Sequence, residues 1–238
     1  MLAAIDSGNS SIKLGIFNEG LLVSVTNSVS IHEIPAIIKK YSVKKIIISD
    51  TGGNKQALSA VLSSEKVVLF VNPEMRLPFK IRYNTQESLG ADRISAIAGA
   101  WNRHAFSDIL VIDAGTCITY DFIDKEGNYW GGGISPGIDM RLKALHSFTA
   151  NLPEIKQSDN FFLIGSDTRS SILSGTLGGI VSELNGMIEN YRKQYPDLKV
   201  ILCGGSSGFF ECKIKDSIFI IPDLLLWGLW VISENNEI

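Results

Sequence analysis

Two short segments carry the residues best able to do chemistry. Ala3-Ala4-Ile5-Asp6-Ser7-Gly8-Asn9-Ser10 and Leu110-Val111-Ile112-Asp113-Ala114-Gly115-Thr116 each bring a carboxylate to the end of an apolar run, with a glycine two residues later and hydroxyl side chains close behind. Glycine lets backbone N–H groups approach an anion, Asn9, Ser10 and Ser11 can donate hydrogen bonds, and Lys13 adds a positive charge. The first segment therefore reads as a phosphate cradle. An aspartate emerging from a buried strand is suited to holding a metal ion or its water shell. Asp, Gly, Asn and Ser also dominate ordinary turns. The repeat separates the two readings: Gly20 lies 14 residues after Asp6 and Gly127 lies 14 after Asp113. A plain turn has no reason to be copied with its carboxylate, so one unit used twice is expected.

A third constellation, Gly90-Ala91-Asp92-Arg93, opens a stretch in which Ile94, Ile97, Ala98 and Trp101 fall at i, i+3, i+4 and i+7. That spacing predicts a helix over 90–104 with one buried face. Asp92 could serve only the helix N-terminus, or it could take a proton from a substrate hydroxyl with Arg93 beside it to hold an anionic group. Gly131-Gly132-Gly133-Ile134-Ser135-Pro136-Gly137 suits close approach to a ligand or to the other half of the chain. Gly204-Gly205-Ser206-Ser207, after a buried strand, is a candidate nucleoside loop. His32, His104 and His146 stand in no metal or triad spacing, and Cys117, Cys203 and Cys212 show neither a disulfide framework nor zinc spacing.

These residues need a scaffold of strands that end at turns. Strands are expected at 2–6, 11–17 and 20–27, then a helix at 33–41, the run 45–49, a helix near 54–64 and a strand at 67–71. Residues 73–78 read as a linking loop. From Asp108 the pattern restarts, with strands at 109–113, 116–122 and 128–134, a helix to about 146, a longer helix over 168–194, a strand at 199–203 and a closing strand and helix. Strands first and alternating elements after them predict an α/β fold with mixed sheets. Two halves are expected, 1–106 and 107–238. Facing one another, they would offer two carboxylates and two glycine-opened backbones to a shared cleft, as a nucleoside triphosphate with its metal ions requires.

Composition narrows the function further. The formal charge of −3 provides no basic footprint for nucleic acid. Asp6 interrupts the apolar Met1–Ile5 before a signal peptide could form, and Pro222-Asp223 splits the greasiest stretch below membrane-spanning length. A cytoplasmic protein, free of membrane and nucleic acid, is expected.

In order, Asp6-Ser7-Gly8-Asn9-Ser10-Ser11-Ile12-Lys13, Gly90-Ala91-Asp92-Arg93, Asp113-Ala114-Gly115-Thr116 and Gly131–Gly137 closely resemble the type III pantothenate kinases across nearly the whole chain. The resemblance implies the fold of the acetate kinase, sugar kinase, Hsp70 and actin superfamily, with two RNase H-like halves around an ATP cleft, and a homodimer. It implies ATP-dependent phosphorylation of pantothenate to 4′-phosphopantothenate, the first step towards coenzyme A, with Mg²⁺ and a monovalent cation, potassium or ammonium. It further implies that Asp6, Ser7, Gly8, Asn9, Ser10, Ser11, Ile12 and Lys13 form the ATP phosphate segment, that Thr116 is another ATP contact and that Asp113 is the monovalent-cation ligand. Gly90, Ala91, Asp92 and Arg93 correspond to substrate binding, Asp92 to the proton acceptor, and Tyr83 and Thr168 to further substrate contacts. Ser10 stands where the family usually has Thr, which keeps the hydroxyl. The alternatives are a kinase of the same fold acting on another small hydroxyl compound, such as a sugar, and a non-enzymatic ATP-binding regulatory protein.

Overall fold

The computed structural model describes residues 1–64 and 67–236. Strands β1 (Leu2–Ser7), β2 (Ile12–Asn18) and β3 (Leu21–Thr26) come first. Helix α1 (Ile34–Lys40), β4 (Lys45–Asp50), α2 (Lys55–Val61), β5 (Val68–Phe70), β6 (Lys80–Ile81) and α3 (Ala91–His104) follow. Next come β7 (Ile109–Ala114), β8 (Cys117–Ile123), β9 (Asn128–Pro136), α4 (Ile138–Ser147), α5 (Thr168–Leu173) and α6 (Gly179–Gln194). The chain finishes with β10 (Lys199–Cys203), α7 (Ser207–Phe210), β11 (Phe219–Ile220) and α8 (Leu224–Asn235). Contacts divide it into two compact units. One holds Met1–Phe106, the hairpin tip Ile123–Gly131 and the C-terminal segment from Asp223; the other holds Ser107–Phe122 and Gly132–Pro222.

In the first unit the strand order is β3-β2-β1-β4-β5, with β1 antiparallel to β2 and parallel to β4. Leu2, Ala3, Ala4 and Ile5 are all buried because the sheet is covered on both faces, so the central strand reads as a continuous apolar run and not as an alternation. Ile34, Ile38 and Leu58 from α1 and α2 pack with Ile5, Leu14, Ile16, Ile46 and Ile48. Each such aliphatic side chain contributes about 1.5–3 kcal/mol on burial. Helices α3 and α8 pack together and against the same strands. Small residues set their approach: a Cβ at Gly99 would lie 2.5 Å from the Leu224 carbonyl oxygen, and one at Gly228 would collide with the Ser95 carbonyl.

Strand order in the second unit is β9-β8-β7-β10-β11, with β10 parallel to both β7 and β11. Leu110, Ile112, Ile118, Val200 and Leu202 pack there with Leu184 and Ile188 of α6. Counted from its own first strand, this is the arrangement of the first sheet again. Strands β1 and β7 share one burial pattern: four buried residues, a half-buried aspartate, then a buried small residue. The hairpins that follow share a feature too. Gly20 and Gly127 both adopt φ +78°, and a Cβ would meet Trp230 at 3.2 Å in one case and Trp101 at 3.1 Å in the other. Only glycine takes this backbone without strain. The expected α/β class, two mixed sheets flanked by helices, is thus what the chain adopts.

One local expectation is refined. Residues 168–194 form α5 and α6 joined by a π-helical turn over Ser174–Gly178, not one uninterrupted helix. Gly175, Gly178 and Gly179 weaken helix propensity there. The linking loop over 73–78 is as expected; β6, which no expectation covered, follows it, and its two residues pair with Asn128 and Tyr129 of β9. Among the described residues no helix is long and apolar enough to cross a membrane.

Candidate active site

In the first unit, β1 delivers Asp6 half-buried at its end, in register with Ser49 of β4 and Lys13 of β2. The turn beyond it is closed by the Gly8 N–H, which donates to the Ser11 carbonyl at 3.1 Å, and leaves Asn9, Ser10 and Ser11 exposed. Ser7 is buried; its hydroxyl donates to Asp50 at 2.8 Å and accepts from the Asn54 amide at 3.1 Å. The N–H groups of Thr51 and Gly52 donate to the Ser7 carbonyl at 2.9 and 3.0 Å. Ser7 therefore fixes the turn to the neighbouring loop, Ile12 belongs to the core, and the exposed members are those at the turn's tip. Lys13 forms an ion pair with Asp223 at 3.1 Å.

Asp92 occupies the first turn of α3, where its Oδ1 accepts the Arg93 N–H at 2.8 Å. A Cβ at Gly90 would collide with that same oxygen, so glycine makes room for the carboxylate at the helix N-terminus. Burial first, and then the negative charge of Asp92, push the Asp6 carboxyl up from 3.8 to about 7, with Lys13 pulling the other way. A cation beside this carboxyl would offset the charge of Asp92 and favour its ionised form. Arg93 is 6% exposed, and its guanidinium lies over the Tyr83 ring, 5.6 Å from the centroid. The fold thus brings Asp6, Lys13, Tyr83, Gly90, Ala91, Asp92 and Arg93 into one unit.

The second unit holds Asp113, Thr116 and Thr168. Asp113 is half-buried at the end of β7, in register with Cys203. Glycine-rich loops close around it. A Cβ at Gly204 would strike Asp113 Oδ1 and lie 2.6 Å from the Ala114 carbonyl oxygen, and one at Gly137 would strike the Gly115 carbonyl. The Gly137 N–H donates to the Thr116 carbonyl at 3.0 Å and the Ser206 N–H to that of Ala114 at 2.9 Å, leaving Thr116 exposed at the turn. The groups nearest this turn are the Asp113 carboxylate and backbone carbonyls, oxygen donors of the hard type. Among the described residues no group of three or more His, Cys, Asp or Glu could cage a metal ion.

Thr168 opens α5 directly after Asp167, which caps the helix by accepting the Ser170 N–H at 2.8 Å. It is exposed and lines a cavity of about 890 Å³ together with Arg141, Phe148, Thr149, Leu152 and Thr176. Arg141 escaped the reading of the sequence. Its Nη2 donates to Ser135 Oγ at 2.8 Å and pairs with Glu183, which also accepts the Tyr120 hydroxyl at 2.9 Å. Burial works to raise the Glu183 pKa, but Arg141, Ser135 and Tyr120 hold it below the usual carboxylate range; burial and then Glu183 raise that of Tyr120. Nothing in the sequence links positions 120, 141 and 183, because the contacts are long-range and the residues carry no spacing motif.

A sequence profile described as type III pantothenate kinase matches residues 2–190. The type III pantothenate kinase of Christiangramia forsetii is 39% identical, covering 100% of this chain and 99% of its own length. That of Bacteroides fragilis is also 39% identical over 98% of this chain and 97% of its own, and that of Cytophaga hutchinsonii is 38% identical over 99% and 100%. Among solved structures, a Campylobacter jejuni protein named for the Baf family of transcriptional activators aligns with TM-score 0.65 at 22% identity, covering 98% of both chains. A Sinorhizobium meliloti protein named as a 2-dehydro-3-deoxygalactonokinase aligns at 0.61 with 15% identity, again over 98% of both chains. At these identities the structural likeness speaks for the fold alone. With the profile matched over most of its length and full-length relatives at 38–39% identity, the chain belongs to the type III pantothenate kinase family.

Proposed function

We propose that the chain catalyses ATP-dependent phosphorylation of pantothenate to 4′-phosphopantothenate, the first committed step towards coenzyme A. The cluster at the head of α3 carries this proposal: a carboxylate, a guanidinium and an aromatic ring in one place, with Asp92 near enough to Asp6 to raise its pKa. Transfer to an alcohol calls for a base at the hydroxyl, and an anionic acceptor calls for a cationic anchor.

Asp92 accepts the proton of the primary hydroxyl. Arg93 and Tyr83 hold the anionic substrate, Gly90 and Ala91 offer backbone to it, and Thr168 adds a further contact. The turn from Asp6 to Lys13, together with Thr116, engages the ATP phosphates, with Asp6 holding the metal's water shell or the line of attack. Asp113 binds the monovalent cation, potassium or ammonium, whose charge offsets that of the phosphates. Mg²⁺, when bound, neutralises charge on the phosphates; the protein's own contribution is positioning and electrostatic preorganisation. The active species is a homodimer in the cytoplasm.

The test is ADP formation with pantothenate and with a panel of sugars, each with and without potassium. Pantothenate-dependent turnover stimulated by potassium is expected. Turnover on a sugar, or ATP hydrolysis indifferent to pantothenate, would overturn the proposal.

A further inference from the structure

We infer that Gly131 is a positioning residue for the substrate site, acting through the Tyr83 ring on the Arg93 guanidinium. Strand β6 pairs in parallel with the head of β9, Lys80 opposite Asn128 and Ile81 opposite Tyr129. The Lys80 N–H donates to the Gly127 carbonyl and the Arg82 N–H to that of Tyr129, both at 2.8 Å. Continuing this register by two residues brings Tyr83 opposite Gly131. There the Cδ2–Cε2 edge of the ring abuts the bare glycine: a Cβ at Gly131 would sit 2.6 Å from Tyr83 Cδ2 and 2.7 Å from Cε2, with Cγ further off at 3.9 Å. Over the ring lies Arg93, whose Cζ is 5.6 Å from the centroid. Gly131 therefore leaves room for the ring edge and so sets where the ring lies beneath the Arg93 guanidinium.

Carbon atoms in contact keep about 3.5–4.0 Å apart, so any side chain at position 131 displaces the ring edge by roughly 1 Å and shifts the surface over which Arg93 lies. Displacements of that size at a substrate-orienting group can cost on the order of 10²-fold in rate. This assigns a task to one glycine of the 131–133 run. The inference deepens the proposed function, since it takes Tyr83 and Arg93 as the groups that hold the acceptor.

Four proteins test it: wild type, Gly131→Ala, Tyr83→Ala and the double variant. Gly131→Ala should raise KM for pantothenate about 10-fold or more while KM for ATP stays within about 2-fold. In the Tyr83→Ala background the same substitution should cost almost nothing further, because the ring it displaces is gone; contacting residues couple in this way. Gly131 also has φ +91°, so alanine brings backbone strain of its own. An equal cost in both backgrounds would assign the whole effect to that strain and overturn the inference. If Gly131→Ala does not fold while the double variant does, the inference stands; if neither folds, it falls. Unchanged pantothenate KM in Tyr83→Ala would remove Tyr83 from the site and take the inference with it, leaving pantothenate phosphorylation itself intact. Melting temperatures of the four proteins read the ring contact without substrate. A chain inactive on pantothenate would thus end the proposed function separately, and additive melting shifts would end the coupling of Gly131 to the ring.

Discussion

Asp6 and Asp113 occupy the same place in two copies of one sheet, yet they sit in different surroundings. Each ends a strand with four buried residues before it, and each precedes a hairpin whose glycine, at φ +78°, lies on a tryptophan. Asp6 faces a second carboxylate, Asp92, with Lys13 nearby. Asp113 is instead backed by the bare Gly204 and by the Ala114 carbonyl. The two sheets present equivalent strand ends, and the different loops around them make two different electrostatic sites. The shared scaffold fixes where a carboxylate emerges; the unshared neighbours decide what it can hold.

Exchanging each aspartate for its amide is the most forceful way to break this comparison. In the proposed enzyme Asp6→Asn should lower kcat by about 10²–10³, the scale seen when a preorganised electrostatic group is removed. Asp113→Asn should chiefly raise the potassium concentration needed for half-maximal activation, by about 10-fold, as expected for the loss of roughly 1.4 kcal/mol of binding. Steady-state rates across a potassium series check both. Equal losses in kcat with unchanged potassium dependence would show the two carboxylates to be interchangeable.

Stability against pH sharpens the contrast. The Asp6 pKa is raised on folding, so the folded protein keeps a proton that the unfolded chain releases between about pH 4 and 7. The stability associated with that proton is fully present below the unfolded pKa and is lost as pH rises through 7. Asp6→Asn abolishes this loss, so the ligand-free variant should gain on wild type by roughly 2 kcal/mol between pH 5 and pH 8. In a chain of this size that corresponds to about 4–8 °C in Tm. A Tm difference that stays flat over this range would contradict the environment described for Asp6.

The hairpin glycines should show the smallest effects. Gly20→Ala and Gly127→Ala each place a side chain at positive φ against an indole, and each should cost about 1–2 kcal/mol. Near-equal losses in urea unfolding would support structural equivalence of the two turns. A loss confined to one of them would speak against it.

The duplicated part of the fold was legible because its signals are local. An aspartate closing an apolar run, a glycine two residues on and another glycine 14 residues from the aspartate can be read without knowing the partner strand. The helix at Ala91–His104 was legible for the same reason, its apolar residues recurring at helical spacing. What could not be read depends on partners distant in sequence. Strand β6 has only two residues, and its partners lie 48 positions away, so no periodicity marks it. Gly99 and Gly228 each look like a weak point in a helix until the facing backbone shows why no larger residue fits. The glycines at 137 and 204 were visible as flexible loops, but their shared purpose, to leave room around Asp113 and its turn, appears only in three dimensions. The proposed site divides similarly: Asp6, Asp92 and Asp113 stand out by spacing, whereas the Tyr120–Glu183–Arg141 network has no linear signature.

Pantothenate-dependent turnover by Asp92→Asn, measured beside ATP binding by the same protein, tests the central claim most directly. Asparagine keeps the oxygen that accepts the Arg93 N–H, so the head of α3 should remain folded while the capacity to take a proton is lost. The expected result is ATP affinity within about 2-fold of wild type and kcat lower by about 10² or more, the usual scale for a general base. Wild-type turnover in that variant would show that Asp92 takes no proton and that the chemistry lies elsewhere.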